Sequence, residues 1–165
     1  MSSAPYRVVP LSGQERTTFV SDSEALNRYF QQQVTQDVRR RVAACFVALD
    51  GEQRVAGYYT LAAASVLLAE LPGASAKKLP RYPSVPAIRM GRLAVDQAFK
   101  GQGLGGALLA DALERAARSE IAAFALVVDA KDETAAAFYA HHGFIALPDA
   151  ALTLFLPLAT VRGSI

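Results

Sequence analysis

The stretch that decides the fold is KGQGLGGALLADALERA, residues 100–116. It holds four glycines in its first seven residues and then continues with leucine and alanine at helical spacing. Glycine has no Cβ and so lets a ligand approach the backbone, and the unpaired N–H groups at a helix N-terminus favour an anion. The sequence therefore predicts a phosphate-binding glycine loop at the start of a helix.

Two familiar nucleotide motifs do not match this loop. A P-loop requires Gly-Lys followed by Ser or Thr, which these residues do not supply. The G-x-G-x-x-G fingerprint of dinucleotide-binding folds also fails, because Gly101, Gly103 and Gly105 alternate and the third glycine is misplaced. A glycine-rich turn that only allows a helix to pack closely on a sheet stays open as the alternative at this point.

The segments on either side of the loop alternate between strand and helix patterns. A hairpin with its turn at Asp50-Gly51 precedes the loop, and a short helix from Asp132 to about His141, stopped by Gly143, follows it. The predicted strands are residues 6–11, 43–49, 55–67, 87–95, 124–130, 144–147 and 153–156. The pattern predicts a single mixed α/β domain over residues 1–165.

The N-terminal part predicts a further helix, and a long irregular segment lies beyond the hairpin. Ser21 and Glu24 have the spacing of a capping box, so the helix is expected to begin at Ser21 and to end near arginines 39–41. Its apolar stripe comprises Leu26, Tyr29, Phe30 and Val34. Residues 71–86 contain four prolines and are predicted to form a long loop.

The composition is that of an ordinary globular protein. With 165 residues, 52% hydrophobic and 19% charged, the chain is long enough for one packed core and unlike a disordered chain. A net charge of +2 does not by itself indicate nucleic-acid binding. The single cysteine, Cys45, lies in an apolar run and is expected to be a buried, inert thiol in a reducing compartment. No signal peptide or membrane span is expected, and the protein is predicted to be cytoplasmic.

Two motifs together resemble a known superfamily. RLAVDQAFKGQGLGGALL (92–109), followed by VDAKDETAAAFYAHHGF (128–144), resembles the acetyl-CoA signature of the GNAT superfamily of N-acetyltransferases. The basic end of the N-terminal helix, the strand VAGYYTLAAASV, the proline-rich loop and the closing TLFLPL resemble, more narrowly, the GNAT-type toxins of bacterial toxin–antitoxin pairs. The resemblance implies the GNAT fold of the α+β class: a mixed central sheet of about six to seven strands with a splayed middle pair and flanking helices.

The resemblance also implies acetyl-CoA as acetyl donor and identifies the positions that hold it. The loop pattern Q/R-x-x-G-x-G/A is read from Lys100, where lysine departs from the usual Gln or Arg; a start at Gln102 also fits, although the spacing to the preceding strand favours Lys100. Backbone groups of Leu93, Ala94 and Val95 are implied to pair with the pantetheine arm. The implied cofactor-binding set is Leu93, Ala94, Val95, Lys100, Gly101, Gln102, Gly103, Leu104, Gly105, Gly106, Asp132 and Phe138.

The chemistry that the resemblance implies is attack of an amine on the thioester, with Tyr139 as the acid that protonates the departing thiolate. A phenol with an unperturbed pKa near 10 is neutral at pH 7 and can act in this way. No residue stands out as the general base. His141 and His142 are expected to face the end of their helix, and no metal site is predicted.

The implied substrate is the α-amino group of aminoacyl-tRNA, and the implied partner is a ribbon-helix-helix antitoxin; a homodimer without membrane contact is expected. Few acidic residues occur between Val55 and Arg92, which disfavours a small cationic acceptor. The candidate tRNA contacts are Arg39, Arg40, Lys77, Lys78, Arg81, Arg89 and Arg92. The alternatives are a solvated charged face, a metabolic GNAT that acts on a small amine or a protein N-terminus, and a non-catalytic binding module.

Overall fold

A computed structural model describes residues 6–161, which form two compact units. Among the described residues, the first unit comprises residues 6–62 and 91–112, and the second comprises residues 63–90 and 113–161. The few terminal residues of the predicted 1–165 domain lie outside the described residues. Each unit has its own buried core, so the two are described in turn.

The strands belong to one seven-stranded mixed sheet of order β1-β2-β3-β4-β5-β7-β6, with helices flanking it. The strands are β1 Arg7–Pro10, β2 Ala44–Leu49, β3 Val55–Leu67, β4 Ser84–Val95, β5 Ala125–Asp129, β6 Ile145–Leu147 and β7 Ala150–Pro157. The helices are α1 Glu24–Arg28, α2 Val34–Arg39, α3 Gly73–Ala76, α4 Leu104–Ala117 and α5 Glu133–His141. The predicted GNAT fold class and strand number are confirmed.

The pairing of β4 with β5 is parallel and short. It runs from Ala87 opposite Ala125 to Met90 opposite Val128, while β4 itself continues to Val95. The other pairings with a described register are antiparallel.

In the first unit, the N-terminal helical segment is interrupted by a π-helical turn. The π-helical residues Tyr29–Gln33 separate α1 from α2. The prediction that the helix begins at Ser21 is wrong: Ser23 is the N-cap, and its hydroxyl accepts a hydrogen bond from the backbone N–H of Leu26. Ser21 is buried, and both its hydroxyl and its backbone N–H donate to the side-chain oxygen of Asn27 at 2.7 Å, so it is committed to a different contact.

Aromatic rings form the core of the first unit. Phe30 stacks on Tyr58 with ring centroids 4.2 Å apart, and Phe19 meets both rings edge-on. The predicted apolar stripe is confirmed, because Tyr29, Phe30 and Val34 are buried and Leu26 packs against them. Cys45 is buried in the same cluster, and this burial raises the pKa of its thiol to about 12, as expected of an inert cysteine.

A second packing feature of the first unit is the close approach of backbone to Gly57 on β3. A Cβ at this position would lie 2.9 Å from the carbonyl oxygen of Ala94 on β4 and 2.8 Å from a methyl group of Leu108 on α4. Real Cβ atoms do not approach backbone that closely. Gly57 therefore lets β3, the end of β4 and α4 pack together.

The second unit corrects one sequence prediction. The core includes Val66, Val85, Val127 and Phe155. The predicted irregular segment 71–86 contains the short helix α3, and β4 begins at Ser84, earlier than the predicted residue 87. Pro86 is tolerated in the strand because it is exposed between the buried Val85 and Ala87 and uses its carbonyl, which accepts from Phe124 N–H.

The end of the second unit agrees with prediction. Asp132 caps α5 by accepting the backbone N–H of Ala135 at 2.8 Å, and Gly143 ends the helix with a φ of 95°. Over residues 6–161, no helix combines the length and apolarity that crossing a bilayer requires.

We expect Gly57→Ala to destabilise the protein by about 1–3 kcal/mol, because the added methyl group must displace backbone or the Leu108 side chain. Urea denaturation followed by circular dichroism measures the change. Gly51→Ala is the matched control, since a Cβ at Gly51 meets nothing within 4 Å. Equal midpoints for the two variants would show that the close approach does not limit stability.

Candidate active site

The glycine loop lies at the start of α4, as predicted. Gly101 and Gly103 both have a φ of +78°, a conformation that side-chain-bearing residues rarely adopt. A backbone bond joins Ala107 N–H to the carbonyl of Gly103 at 3.1 Å. The N–H groups of Leu104, Gly105 and Gly106 come before it, so they have no acceptor inside the helix. The loop thus presents backbone donors to an anion.

The loop is anchored by Asp96, directly after β4. One oxygen of its carboxylate accepts the backbone N–H of Val20 at 2.9 Å, and the other accepts that of Ala98 at 2.8 Å. The Asp96 backbone N–H donates to the carbonyl of Ala56 on β3 at 2.8 Å. These contacts hold the chain that leads into the loop, and they give Asp96 a role that the sequence analysis overlooked.

The polar side chains of the loop already have partners. The Lys100 ammonium forms an ion pair with Asp22 at 2.5 Å, and both side chains are about half exposed. The Tyr6 hydroxyl donates to the side-chain oxygen of Gln102. The charge of Lys100 is therefore shared with a carboxylate, which leaves the backbone N–H groups and the side-chain NH₂ of Gln102 as donors for an anion.

The end of β4 carries the other predicted cofactor positions of the first unit. Ala94 is buried, and Leu93 and Val95 are partly buried. These residues follow the last pair of β4 with β5. Their backbone groups thus lie on a strand that continues beyond its described pairing on that side.

In the second unit, α5 carries Asp132, Phe138 and Tyr139. The ring of Tyr139 is buried and contacts the rings of Phe138 and Phe144 at centroid distances of 5.2 and 5.6 Å. Within residues 6–161 its hydroxyl forms no hydrogen bond. This leaves the hydroxyl available to a bound molecule.

The expectation of an unperturbed phenol at Tyr139 is wrong. Burial, and to a lesser extent the negative charge of Asp129, raises the pKa of Tyr139 to about 12. The phenol is therefore fully protonated at neutral pH and is a weaker acid than a free tyrosine. Its hydrogen is present when a proton is needed, but its transfer requires a strong acceptor.

An aspartate that the sequence analysis did not select lies in the same unit. Asp129, at the end of β5, forms an ion pair with Arg89 on β4 and accepts a hydrogen bond from the Thr153 hydroxyl on β7 at 3.0 Å. The signal in the sequence was a single acidic residue closing the buried run ALVVD. A lone aspartate at a strand end is common, so the pattern alone did not single it out.

The two histidines lie where the sequence predicted, at the end of α5. The Nδ1 atom of His142 is 2.9 Å from the carbonyl oxygen of Phe138, and its ring packs on that of Phe138. His141 is exposed and meets the His142 ring edge-on. His142 is thus occupied with its own helix.

The basic residues predicted to contact tRNA divide into exposed side chains and side chains that already have a partner within the protein. Five are exposed: Arg39, Arg40, Lys77, Lys78 and Arg81. Arg89 is paired with Asp129, and the Arg92 guanidinium lies 3.5 Å from the centre of the Tyr29 ring. The exposed group is therefore accessible to a polyanion, and within it Arg40 also interacts electrostatically with Asp37.

The Arg92 stack borders an open cleft in the first unit. The cleft is lined by polar side chains of the π-helical turn and its neighbours, among them Arg28, Gln32 and Gln33. The Tyr29 hydroxyl donates to Asp37 at 2.8 Å, so the ring is fixed beneath the guanidinium. Burial and this hydrogen bond raise the pKa of Tyr29, which keeps the ring neutral.

Comparison with protein families and curated proteins identifies the family of the chain. Residues 41–146 match the family described as "Acetyltransferase (GNAT) domain". The chain is 36% identical over 166 residues to a tRNA-acetylating toxin of Mycobacterium tuberculosis (strain ATCC 25618 / H37Rv), covering 99% of this chain and 96% of the relative.

Solved structures are similar over nearly the whole chain. AtaT complexed with acetyl-methionyl-tRNAfMet is 29% identical with a TM-score of 0.87, covering 94% of this chain and 96% of that one. AtaTR bound with acetyl-CoA is 28% identical with a TM-score of 0.82, covering 95% and 96%. A tyrosine-to-phenylalanine mutant of AtaT bound to the C-terminus of the antitoxin AtaR is 26% identical with a TM-score of 0.79, covering 96% of each chain.

Proposed function

The chain belongs to the GNAT family of acetyltransferases, and from this premise we propose that it is a toxin that transfers acetyl from acetyl-CoA to the α-amino group of aminoacyl-tRNA. The observation that carries the proposal is identity of 36% over essentially the full length of a tRNA-acetylating toxin. Similarity to AtaT, whose structure holds acetyl-methionyl-tRNAfMet, supports the same substrate class. An acetylated α-amino group no longer attacks as a nucleophile, so translation is blocked.

Acetyl-CoA fits the glycine loop of the first unit. Its pyrophosphate requires several converging donors and close backbone approach, and the loop offers unpaired N–H groups and two glycines beside which a Cβ would meet nothing within 4 Å. The neighbouring backbone of Leu93, Ala94 and Val95 is proposed to pair with the pantetheine arm, and Asp132 and Phe138 are proposed to contact the donor. The donor supplies the acetyl group as a reactive thioester.

Tyr139 is proposed as the acid of the reaction. Its hydroxyl is unbonded within residues 6–161, and its raised pKa keeps it protonated until a proton is required. The incoming amine needs little help, because the α-amino group of an aminoacyl ester has a pKa of roughly 7 and is largely neutral at physiological pH.

The tRNA is proposed to bind through the basic side chains, chiefly the exposed group. Lys77, Lys78 and Arg81 lie within the proline-rich segment 71–86, Arg39 is the last residue of α2, and Arg40 is its C-cap. Phosphate contacts of this kind release counterions and make binding strongly salt-dependent. Arg89 and Arg92 are proposed to contribute with the donors that their internal partners leave free.

The biological setting is proposed from the same likeness. Since AtaT binds the C-terminus of an antitoxin, we propose that a ribbon-helix-helix antitoxin neutralises this protein, that the toxin is a homodimer, and that it acts in the cytoplasm. An antitoxin segment with acidic residues suits the same cationic surface as RNA.

The first prediction concerns transfer of labelled acetyl. We expect label on bulk charged tRNA and none on deacylated tRNA, polyamines or a peptide. Tyr139→Phe should lower the rate by about 10²–10⁴-fold, as loss of a positioned acid does, without loss of stability, because no partner of the hydroxyl is left unpaired. Tyr82→Phe, which removes an exposed hydroxyl, is the matched control.

Other outcomes separate the alternatives. Label on a polyamine or peptide but not on charged tRNA would indicate a metabolic acetyltransferase. Absence of label from every acceptor would indicate a non-catalytic module. A Tyr139→Phe enzyme with the wild-type rate would remove the acid role from Tyr139 and leave the substrate assignment intact.

The second prediction concerns the loop. Gly103→Ala should weaken CoA binding by about 5- to 30-fold, because a residue with a Cβ resists the φ of +78° by roughly 1–2 kcal/mol. Isothermal titration calorimetry with CoA measures the effect. Gly13→Ala, at a site with nothing within 4 Å and no positive φ, should bind CoA as the wild type does. Equal affinities for both variants would argue against the loop as the pyrophosphate site.

The third prediction concerns silencing. If antitoxin and RNA share the exposed cations, adding the cognate antitoxin should release labelled charged tRNA from the toxin in a filter-binding assay. More antitoxin should be needed for release at low ionic strength, where the phosphate contacts hold the tRNA most tightly. A stable ternary complex of toxin, antitoxin and charged tRNA would contradict competition for one surface.

A further inference from the structure

Three neighbouring strands of the second unit place polar side chains around one carboxylate. Asp129 closes β5, Arg89 belongs to β4 and Thr153 to β7. Thr153 lies directly opposite Asp129 in the antiparallel pairing. Arg89 lies opposite Val127, two residues before Asp129, so its side chain and that of Asp129 are diagonal neighbours on the same face of the sheet.

These contacts hold the Asp129 carboxylate in place but do not use all of its hydrogen-bond acceptor positions. Arg89 donates to one oxygen of Asp129, and Thr153 donates to the other. An ionised carboxylate has about four acceptor positions, so each oxygen keeps capacity for a further donor. The Asp129 side chain is 51% exposed, which makes that capacity reachable. A held, open carboxylate suits a cationic or N–H-bearing ligand.

The carboxylate also lies within electrostatic range of Tyr139. The charge of Asp129 is one of the two causes that raise the pKa of that phenol, the larger being burial. His142, the C-cap of α5, is engaged elsewhere, because its Nδ1 atom lies 2.9 Å from the carbonyl oxygen of Phe138. Among the described residues, Asp129 is the carboxylate whose charge acts on the Tyr139 phenol.

Resting on the proposed function, we propose that Asp129 binds the α-amino group of the aminoacyl-tRNA and accepts the proton that this nitrogen loses. An N–H of the neutral amine donates to the carboxylate, which directs the nitrogen lone pair away from Asp129. Arg89 and Thr153 are positioning residues for this carboxylate. A substrate without the α-amino group cannot form the contact.

The step balances. The amine nitrogen forms a bond to the acetyl carbon, and the carbon–sulfur bond of the thioester breaks. The proton that the nitrogen releases passes to Asp129 and then to solvent. The phenolic proton of Tyr139 passes to the sulfur, and solvent restores it. No oxidant, metal or further reactant is required.

The test separates recognition of the amine from folding. The probes are a charged tRNA that the wild type acetylates and the same tRNA esterified with the deamino acid, in which a hydrogen atom replaces the amine and leaves no donor on the α-carbon. Dissociation constants are measured by filter binding for the wild type, Asp129→Asn, Thr153→Val and the control Glu114→Gln. Glu114 is also a half-exposed carboxylate paired with an arginine, Arg118, at 3.3 Å.

We expect the wild type and Glu114→Gln to bind the aminoacyl form about tenfold more tightly than the deaminoacyl form, since charge-assisted hydrogen bonds are the stronger ones. Asp129→Asn should bind both forms equally and lose about 10- to 100-fold in kcat, with its affinity for the deaminoacyl form unchanged. Thr153→Val, which loosens the carboxylate, should keep part of the preference.

Two results would overturn the inference while leaving the proposed function in place. One is an Asp129→Asn enzyme that keeps the wild-type preference and kcat. The other is an Asp129→Asn enzyme that loses affinity for both tRNAs equally, which indicates a structural ion pair. A wild type that acetylates no charged tRNA would instead overturn the proposed function and this inference with it.

Discussion

The first unit depends on the close approach at Gly57. Because this residue has no side chain, the carbonyl of Ala94 and the Leu108 methyl group occupy the space that a Cβ would take. The carbonyl oxygen of the preceding residue, Ala56, accepts a hydrogen bond from the backbone N–H of Asp96. The Asp96 carboxylate in turn accepts hydrogen bonds from the backbone N–H groups of Val20 and Ala98. The chain thus enters the glycine loop from a fixed point. A mobile loop would have to lose conformational entropy on binding an anion, whereas this one is ordered in advance.

The parts of the fold that the sequence predicted are those determined by local patterns. The glycine loop, the buried stripe at Tyr29, Phe30 and Val34, and the Asp132 cap follow from periodicity and capping chemistry, which act over a few residues. The wrong helix start shows the limit. Ser21 and Ser23 are equally good caps by type, and the burial of Ser21 against Asn27, which decides between them, is a tertiary contact.

The candidate site likewise has features that local motifs indicate and features that only tertiary contacts determine. The resemblance identified Tyr139 and the loop from motifs, but it did not supply the environment of those residues. The pKa of Tyr139 depends on how deeply its ring is buried and on a charge ten residues earlier in the chain, and neither is visible as a pattern. Likewise Arg89, Arg92 and Lys100 look alike as free cations in the sequence, while the structure pairs each of them internally. The tertiary structure, and not the local sequence, decides which basic side chains have a partner within the protein.

The environment of Tyr139 links the two proton transfers of the proposed reaction. A phenol with a pKa near 12 gives its proton reluctantly to a thiolate, whose conjugate acid, like the thiol of cysteine, has a pKa of about 8.5. Burial is the larger cause of the raised pKa, and the charge of Asp129 is the smaller one. In the proposed reaction the smaller contribution is lost, because a carboxylate that has taken a proton from the amine is neutral and no longer opposes ionisation of the phenol. Loss of the proton from the nucleophile would then favour release of the phenolic proton at the stage when the sulfur needs one.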